Sequence, residues 1–244
     1  MVVRDDPADV GLEAYGSKEG SSDAQPLASL RAARSADASV PLAEVFRTST
    51  FWLLAGSFFV CGGTANGLIG THLIPHSIDH GIPEVTAAAA YGIMGGLNVV
   101  GTVLSGWIID RVEPRKWLAL VYALRGVSLF ILPFVADFSG LFIFAVVYGL
   151  DWFASVPPTV ALTADTFGKR NVGRIFGWIF LSHQVGAALA AAGGGMVRVW
   201  LGDYEFAFLA GGVMALIAAG LALKIRPARR EPALSAVASE VAGA

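Results

Sequence analysis

Hydrophilic side chains lie near the centres of several long apolar runs in this sequence. They are Asn98, Arg125, Asp151 and the adjacent pair His183 and Gln184, each with apolar sequence on both sides. An Arg or Asp at the centre of a membrane helix costs roughly 2.5–3.5 kcal/mol on insertion scales, so such residues usually face a watery pathway or pair with one another. Both arrangements occur in proteins that move solutes, and these positions are therefore the candidate functional residues.

The charged residues and the histidine each have a structural interpretation beside a functional one. Arg125 and Asp151 lie at similar depth on consecutive antiparallel runs, so Asp151 neutralises Arg125, borders a solute cavity, or does both. His183 titrates near neutral pH when unperturbed, which suits proton coupling, but it can instead hydrogen-bond to a neighbouring helix. We predict Arg125, Asp151 and His183 as an ion-pair or proton-coupling set.

The fourth apolar run combines the acid with aromatic residues and a double proline. Tyr148, Asp151 and Trp152 share one helical face, and Pro157 and Pro158 follow. Because proline has no backbone N–H, two in succession predict a break or kink. Membrane helices tolerate such irregular backbone mainly against protein or a water-filled cavity, so this run is a candidate solute or proton site.

Small and polar residues follow one face of the second run, where they line a cavity or a close helix contact. They are Tyr91, Gly95, Asn98, Thr102 and Ser105. The spacings of Gly92 with Gly96, and of Gly173 with Gly177, also permit close approach of backbones in lipid. We single out Asn98 as solute-facing and predict a substrate-binding set of Asn66, Asn98, Tyr148, Asp151, Trp152, His183 and Gln184.

The elements that carry these residues are predicted to be membrane helices. The 244 residues are 55% hydrophobic and 15% charged, with a mean hydropathy of +0.63, far more apolar than a soluble domain requires. A spanning helix needs about 20 apolar residues, and six windows have that length: 49–73, 85–109, 117–136, 140–163, 172–197 and 204–223. None alternates with period 2, which argues against a barrel. We predict an all-α integral membrane protein with six transmembrane helices.

Basic residues predict how these helices are oriented. All but two of the 17 Lys and Arg residues fall in segments that the six runs place on one side, together with both termini. The exceptions are Arg198, on the opposite side, and Arg125, within a run. Lys and Arg concentrate on the cytoplasmic side of membrane proteins, so we predict a multi-pass protein of the plasma membrane with both termini cytoplasmic.

The segments outside the six runs predict no further domain. We expect a cytoplasmic, mostly flexible N-terminal segment at 1–47, a six-helix bundle at 48–226 and a flexible cytoplasmic tail at 227–244, because both tails are rich in Ala and Ser. The N-terminus lacks the apolar core of a signal peptide. Cys61 is the single cysteine, so no disulfide framework exists. The dispersed basic residues and the pI near 6.1 give no sign of a nucleic-acid partner.

Metal and enzymatic sites are also weighed against the sequence. Three histidines recur every four residues at the outer end of the first run: His72, His76 and His80. We expect Pro75 to interrupt the helix between the first two, and we predict an outer mouth rather than a metal site. Ser182 directly precedes His183, and neighbouring helical residues point in different directions, so they cannot act as nucleophile and base together. We expect no enzymatic activity and no cofactor.

The most specific local pattern lies at the cytoplasmic end of the second run. It places Gly106, Asp110 and Arg111 before Pro114 and Arg115. Asp at a helix C-terminus opposes the macrodipole, so we expect Asp110 to have a cationic or helix-N-terminal partner. The pattern resembles the loop signature of the major facilitator superfamily, G-x-x-x-D-R-x-G-R-K, with Pro114 in place of the usual Gly. The resemblance implies a conformational latch at Gly106, Asp110, Arg111 and Arg115; the alternative is a plain basic loop.

The resemblance extends over residues 46–226. Residues 71–76, 125–129, 148–152, 157–159 and 202–204 look like the C-terminal half of bacterial facilitators of the monocarboxylate and oxalate/formate type, and residues 4–12 look like the connector after the sixth helix of such proteins. This resemblance implies a major facilitator half-bundle of 3+3 inverted repeats. It also implies that the chain holds the second half of a twelve-helix transporter.

Two functions remain open from the sequence. The resemblance implies a secondary active transporter, or a half-transporter subunit, that moves a small organic solute by alternating access through symport or antiport, with a monocarboxylate anion as the implied class. Because the family binds solute between two halves, the expected partners are a complementary six-helix half or a second copy, besides the solute and the lipid bilayer. The alternative is a non-transporting six-helix membrane fragment or an assembly module.

Overall fold

Six long apolar helices form the protein over residues 40–226, the part that the computed structural model describes, and no β-strand occurs in that range. We call these helices spans 1–6; they cover Ser49–Asp79, Glu84–Ile109, Pro114–Phe134, Phe138–Phe167, Lys169–Leu201 and Glu205–Lys224. A short helix, Leu42–Arg47, precedes them. The predicted all-α fold with six membrane helices is confirmed. The predicted flexible segments, including the connector-like residues 4–12, lie outside the described residues at 1–39 and 227–244.

Two of the spans are interrupted near their middles. Span 1 consists of an α-helix at Ser49–Gly62, a π-helix at Gly63–Ile69 and an α-helix at Gly70–Asp79. Span 4 consists of α-helices at Phe138–Asp151 and Val156–Phe167, joined by a turn at residues 152–155. The predicted break beside the double proline is therefore present.

The other four spans are continuous, apart from 3-10 turns at their ends. Spans 2 and 6 are single α-helices, Glu84–Ile109 and Glu205–Lys224. Span 3 is an α-helix at Pro114–Ile131 that ends in a 3-10 turn at Leu132–Phe134. Span 5 begins with a 3-10 turn at Lys169–Asn171 and continues as an α-helix at Val172–Leu201.

Pro75 does not interrupt span 1, contrary to the sequence expectation. It lies inside the helix Gly70–Asp79. Proline removes the N–H that would bond to the carbonyl four residues earlier, here that of Thr71. Both Thr71 and Pro75 are exposed, so the carbonyl that loses its partner is not enclosed by protein. The helix ends instead before Gly81, whose φ of 81° is a left-handed conformation suited to glycine.

The packing of the spans has the symmetry expected of two three-helix repeats. Span 1 packs on span 5 as span 4 packs on span 2, and span 1 packs on span 6 as span 4 packs on span 3. Spans 3 and 6 pack on each other. Exchanging spans 1–3 with spans 4–6 leaves this pattern unchanged. Because consecutive spans alternate in direction, the two repeats run oppositely, which supports the expected 3+3 inverted arrangement.

Glycines make the closest contacts between the spans. A methyl group added at Gly62 of span 1 would lie 1.9 Å from the His183 carbonyl oxygen of span 5. A methyl added at Gly101 of span 2 would lie 1.9 Å from the Leu150 carbonyl oxygen of span 4. These two helix pairs are equivalent under the repeat. Small residues at such points let backbones approach closely, and here no larger residue fits.

The two glycine pairs noted in the sequence behave differently. A methyl group added at Gly92, Gly96, Gly173 or Gly177 would meet nothing within 4 Å. Of the two interpretations of the second-run face, close packing therefore does not apply to Gly92 and Gly96 within residues 40–226, and the same holds for the pair in span 5. Their sides of spans 2 and 5 are open in this chain.

Candidate functional site

A buried polar layer lies between the two apolar clusters of the bundle. One cluster includes Phe58 and Leu118, and the other includes Leu73 and Phe144. Arg125 of span 3 belongs to neither cluster and has an exposed fraction of 0%. A charge enclosed in this way requires both ionic and hydrogen-bond partners, so the neighbours of Arg125 define the site.

The Arg125 guanidinium bonds to two other spans. Its Nε donates to Asp151 Oδ2 at 2.8 Å, and its Nη1 donates to Cys61 Sγ at 3.0 Å. Its Nη2 donates to the backbone oxygens of Asp151 and Trp152 at 2.9 and 2.7 Å. Asp151 is 6% exposed. The structure therefore forms the buried ion pair that the sequence analysis weighed against a solute role.

The turn at residues 152–155 has its freed backbone groups bonded by side chains of span 2. Asn98 Oδ1 accepts from the Phe153 N–H at 3.1 Å and from Thr102 Oγ1 at 3.3 Å. Ser105 Oγ donates to the Ala154 oxygen at 2.5 Å. Pro158 has no N–H to offer that oxygen. The polar face of span 2 thus contacts the broken helix, and Asn98, predicted as solute-facing, is half-buried against it.

Tyr148 makes the corresponding contact to span 1. It is fully buried, and its hydroxyl donates to the Thr64 carbonyl oxygen, inside the π-helix, at 3.0 Å. Asn66 is the central residue of that π-helix and is half-buried. Its side chain makes no hydrogen bond to any residue in the described range, although its carbonyl accepts from Thr71 Oγ1 at 3.3 Å. π-Helical turns occur frequently at functional sites.

His183 of span 5 is enclosed between spans 1 and 5, with 1% of its surface exposed. Its ring stacks on Phe180 at 5.3 Å between centroids and lies 4.8 Å from the Phe58 ring. Its Nδ1 is 3.0 Å from Gln184 Oε1, and the Cys61 thiol lies beside it. Gln184 itself is exposed. The two neighbours thus differ: His183 contacts the polar layer, and Gln184 lies on the open side of span 5.

The predicted substrate-binding set therefore divides into two groups. Tyr148, Asp151, Trp152 and His183 are buried and bonded to or packed on neighbouring spans, whereas Asn66, Asn98 and Gln184 are at least partly accessible. Sequence reasoning missed Cys61 as a member of the polar layer. Its position within an apolar run carried no signal, because buried cysteine is common as a small apolar residue.

Aromatic rings surround the turn of span 4. Trp152 stacks on Phe153 with centroids 5.8 Å apart, and the Tyr91 ring meets Trp152 edge-on at 5.2 Å. Phe153 and Tyr91 are half-buried. A methyl group on Gly70 of span 1 would lie 3.7 Å from the Tyr91 hydroxyl. Spans 1, 2 and 4 thus meet around one aromatic group beside Asn66 and Asn98.

The loop between spans 2 and 3 carries the predicted latch. Arg111 donates to the Trp107 carbonyl at 2.8 Å and lies over the Trp107 ring, and Arg115 bonds to Ile225 O at the end of span 6 at 3.4 Å. Asp110 is exposed and pairs with no cation within residues 40–226, so its expected partner is not found there. Gly106 is half-buried, with nothing within 4 Å of an added methyl group.

Glu113 is the acid of this loop that does form ion pairs. Its carboxylate contacts Lys116 at 3.1 Å and also bonds to Arg115. These hydrogen bonds, from Lys116 first and then Arg115, lower the pKa of the Glu113 carboxyl below its ordinary value. The loop is therefore held by Glu113 and Arg115 rather than by Asp110.

The opposite end of the bundle contains the three histidines. His72 Nε2 is 2.9 Å from the Ala191 oxygen, His76 Nε2 is 3.4 Å from the Leu132 oxygen, and His80 Nδ1 is 2.9 Å from the His76 oxygen. Nearby, Asp79 accepts two hydrogen bonds from Arg198, at 2.7 and 3.1 Å. The histidines bond to backbone, and no cluster of three or more potential metal ligands occurs in the described part of the chain.

Comparisons with known proteins agree with this architecture. The sequence profile of the Major Facilitator Superfamily matches residues 6–190. Monocarboxylate transporter 12 of Xenopus laevis is 30% identical over 197 residues, which are 78% of this chain and 42% of that protein. Monocarboxylate transporter 13 of Rattus norvegicus is 30% identical over 156 residues, 63% of this chain and 36% of that protein.

A bacterial relative gives a similar match. The uncharacterized MFS-type transporter YcxA of Bacillus subtilis (strain 168) is 30% identical over 144 residues, 57% of this chain and 35% of that protein. The chain thus spans well under half of the length of these relatives.

Proposed function

The chain belongs to the major facilitator superfamily, and from that premise we propose that it is a six-helix unit of a secondary transporter that moves a small organic solute by alternating access. The same membership implies a transporter rather than an enzyme, in a membrane location. We further propose the plasma membrane, with both termini cytoplasmic, on the asymmetry of the basic residues.

One observation carries the proposal: the two interrupted spans meet at mid-depth. The π-helix of span 1 and the turn of span 4 are joined by the bond from Tyr148 to the Thr64 oxygen. Transporters build solute sites from discontinuous helices near the bilayer midplane, where irregular backbone lines a cavity. The accessible amides of Asn66 and Asn98 lie beside this junction, and we propose them as solute contacts.

Spans 2 and 5 supply the argument for a partner. Only 17% and 22% of their apolar windows are buried, against 39% to 61% for the other spans. Gln184 lies on this open side at mid-depth. An exposed amide there would face hydrocarbon, which is unfavourable without a partner. We propose that a complementary six-helix half, or a second copy of this chain, covers spans 2 and 5 and closes the solute cavity.

We propose a monocarboxylate as the solute class, because two of the relatives are named monocarboxylate transporters. Arg125 does not supply the anion site in this arrangement, since its guanidinium is enclosed and bonded to protein. Neutral amide donors such as Asn66 can bond to a carboxylate, and we assign the balancing positive charge to the partner. Asp110, Arg111 and Arg115, with Gly106, remain the proposed latch at the cytoplasmic end.

The test is uptake into proteoliposomes that contain the chain alone or with the six-span protein encoded beside it. Asn66→Ala and Gln184→Ala should raise KM several-fold, because each removes one neutral hydrogen bond worth about 0.5–1.5 kcal/mol. Leu189→Ala, an exposed position away from the proposed site, is the matched control. Unchanged KM in both amide variants would remove them from the site. Absence of uptake under every pairing, with a monomer in detergent, would favour the non-transporting alternative.

A further inference from the structure

The turn of span 4 is held from outside its own helix. Where an α-helix would bond its carbonyls to N–H groups four residues later, the oxygens of Asp151 and Trp152 accept from Arg125, at 2.9 and 2.7 Å. The Ala154 oxygen accepts from Ser105. The unwound backbone is therefore bonded by side chains of spans 2 and 3.

Arg125 is fully committed to this role. Each of its three nitrogens donates to protein, to Asp151 Oδ2, to Cys61 Sγ and to the two carbonyl oxygens. Its exposed fraction is 0%, so it has no free edge for a solute. Asp151 provides the opposite charge that an enclosed guanidinium requires.

The turn presents the aromatic residues to the open side. Trp152 is fixed between the Phe153 and Tyr91 rings, and the Phe153 N–H is fixed by Asn98. A change in the backbone at Asp151 and Trp152 would move both rings. The side chains that bond the turn thus determine where its aromatic residues lie.

We propose that Arg125 and Asp151 are positioning residues: Arg125 clamps the unwound carbonyls of Asp151 and Trp152, Asp151 neutralises Arg125, and neither contacts the solute or carries a transported proton. The proposal rests on the proposed function only in placing this turn at the solute site. The clamp itself is testable without transport.

The competing explanation is that the pair only balances charge, or that Asp151 carries a proton at Oδ1, the one oxygen of its side chain without a hydrogen-bond partner in the structure. Charge balance alone predicts that removing both charges together restores the native turn. A clamp predicts that it does not, because the two carbonyls remain without a donor. A proton carrier predicts loss of proton coupling on amidation of Asp151.

The decisive experiment measures amide hydrogen exchange of peptides covering residues 150–156, using the full chain in nanodiscs. The double variant Arg125→Met/Asp151→Asn should exchange about tenfold faster there than the unchanged chain, the factor expected when one or two net hydrogen bonds are lost. Arg125→Lys, which keeps the charge but loses the planar fork, should show a smaller increase and guards against misfolding of the double variant. Wild-type exchange in both variants would overturn the proposal.

A matched control comes from the other well-formed ion pair. Asp79 and Arg198 pair with similar geometry, at 2.7 Å, but Arg198 bonds to no unwound carbonyl in the described residues. Asp79→Asn/Arg198→Met should leave exchange at residues 150–156 unchanged. An equal increase in this control would show that the effect is global, and would overturn the clamp.

A second readout separates this proposal from the proposed function. In a preparation that transports, Asp151→Asn should keep the wild-type pH profile, with a raised KM. Loss of the proton dependence, with unchanged exchange at the turn, would overturn the proposal in favour of a proton carrier. If no preparation transports, the proposed function fails, and the exchange experiment still decides the clamp.

Discussion

The contact between spans 2 and 4 gives a quantitative test of the packing. Gly101 lies against the Leu150 carbonyl, so that an added methyl would be 1.9 Å from the oxygen, whereas an ordinary contact begins at 3.4 Å. Gly101→Ala therefore requires the two backbones to separate by about 1.5 Å, the difference between these distances. The neighbouring atom is backbone, so no side-chain rotation can relieve the clash.

The expected energy follows from two opposing effects. Overpacking typically costs about 1–3 kcal/mol and here should lie at the upper end, because a whole helix must move. Replacing a helical Gly by Ala returns about 1 kcal/mol of helix propensity. Gly101→Ala should therefore destabilise the chain by about 2 kcal/mol. Gly96→Ala, on the same helix with open space around it, should stabilise it by up to about 1 kcal/mol.

Cys61 provides the assay. It is the only cysteine of the chain and is 0% exposed, so a thiol-reactive fluorophore reports unfolding during heating in detergent. At roughly 2–4 °C per kcal/mol for a chain of this size, Gly101→Ala should lower Tm by about 4–8 °C and Gly96→Ala should raise it slightly. Equal Tm values for the two variants would show that spans 2 and 4 do not touch at Gly101.

Three further outcomes are expected. Tyr148→Phe removes the buried donor to the Thr64 carbonyl and should lower stability by about 1 kcal/mol or more, read as a lower Tm in the thiol assay; an unchanged Tm would mean that the bond to the π-helix contributes nothing. Asp79→Asn breaks a half-exposed pair with Arg198 and should cost only about 0–1 kcal/mol, with the loss diminishing at high salt. Gly96→Ala should weaken co-purification with a partner half, because it adds a methyl to the open face of span 2; undiminished binding would argue that this face meets lipid.

The fold was predictable because its signals are long and redundant. Six apolar windows, the alternation of basic segments and the double proline each constrain the same arrangement. The break at Pro157 and Pro158 follows from missing N–H groups and needs no tertiary information. The π-helix at Gly63–Ile69 had no such signal, because its glycines are equally compatible with an α-helix in a packed bundle.

The site was predictable as a set of residues but not as a set of contacts. Intramembrane polar residues are rare enough that Arg125, Asp151 and Asn98 identify the layer from sequence alone. Sequence spacing does not reveal which backbone groups an interrupted helix leaves without partners, nor which spans supply them. Asn98 therefore looked solute-facing, although half of its surroundings are the turn that it bonds. Likewise, Gly92 and Gly96 have the spacing of a close contact, whereas the actual contact occurs at Gly101.

The two interruptions are coupled, because each is bonded by a residue of the other repeat. Tyr148 of span 4 bonds to the Thr64 oxygen of the π-helix, and Cys61 of span 1 contacts both Arg125 and Ser155 at the turn. A buried backbone group left without a partner costs about 1–3 kcal/mol, so neither interruption can change shape alone while the layer stays dry. If the layer is opened to water, these bonds can be exchanged at little cost. Access of water to one side of the bundle is therefore sufficient to release both spans together, which is the coupling that alternating access requires of this unit.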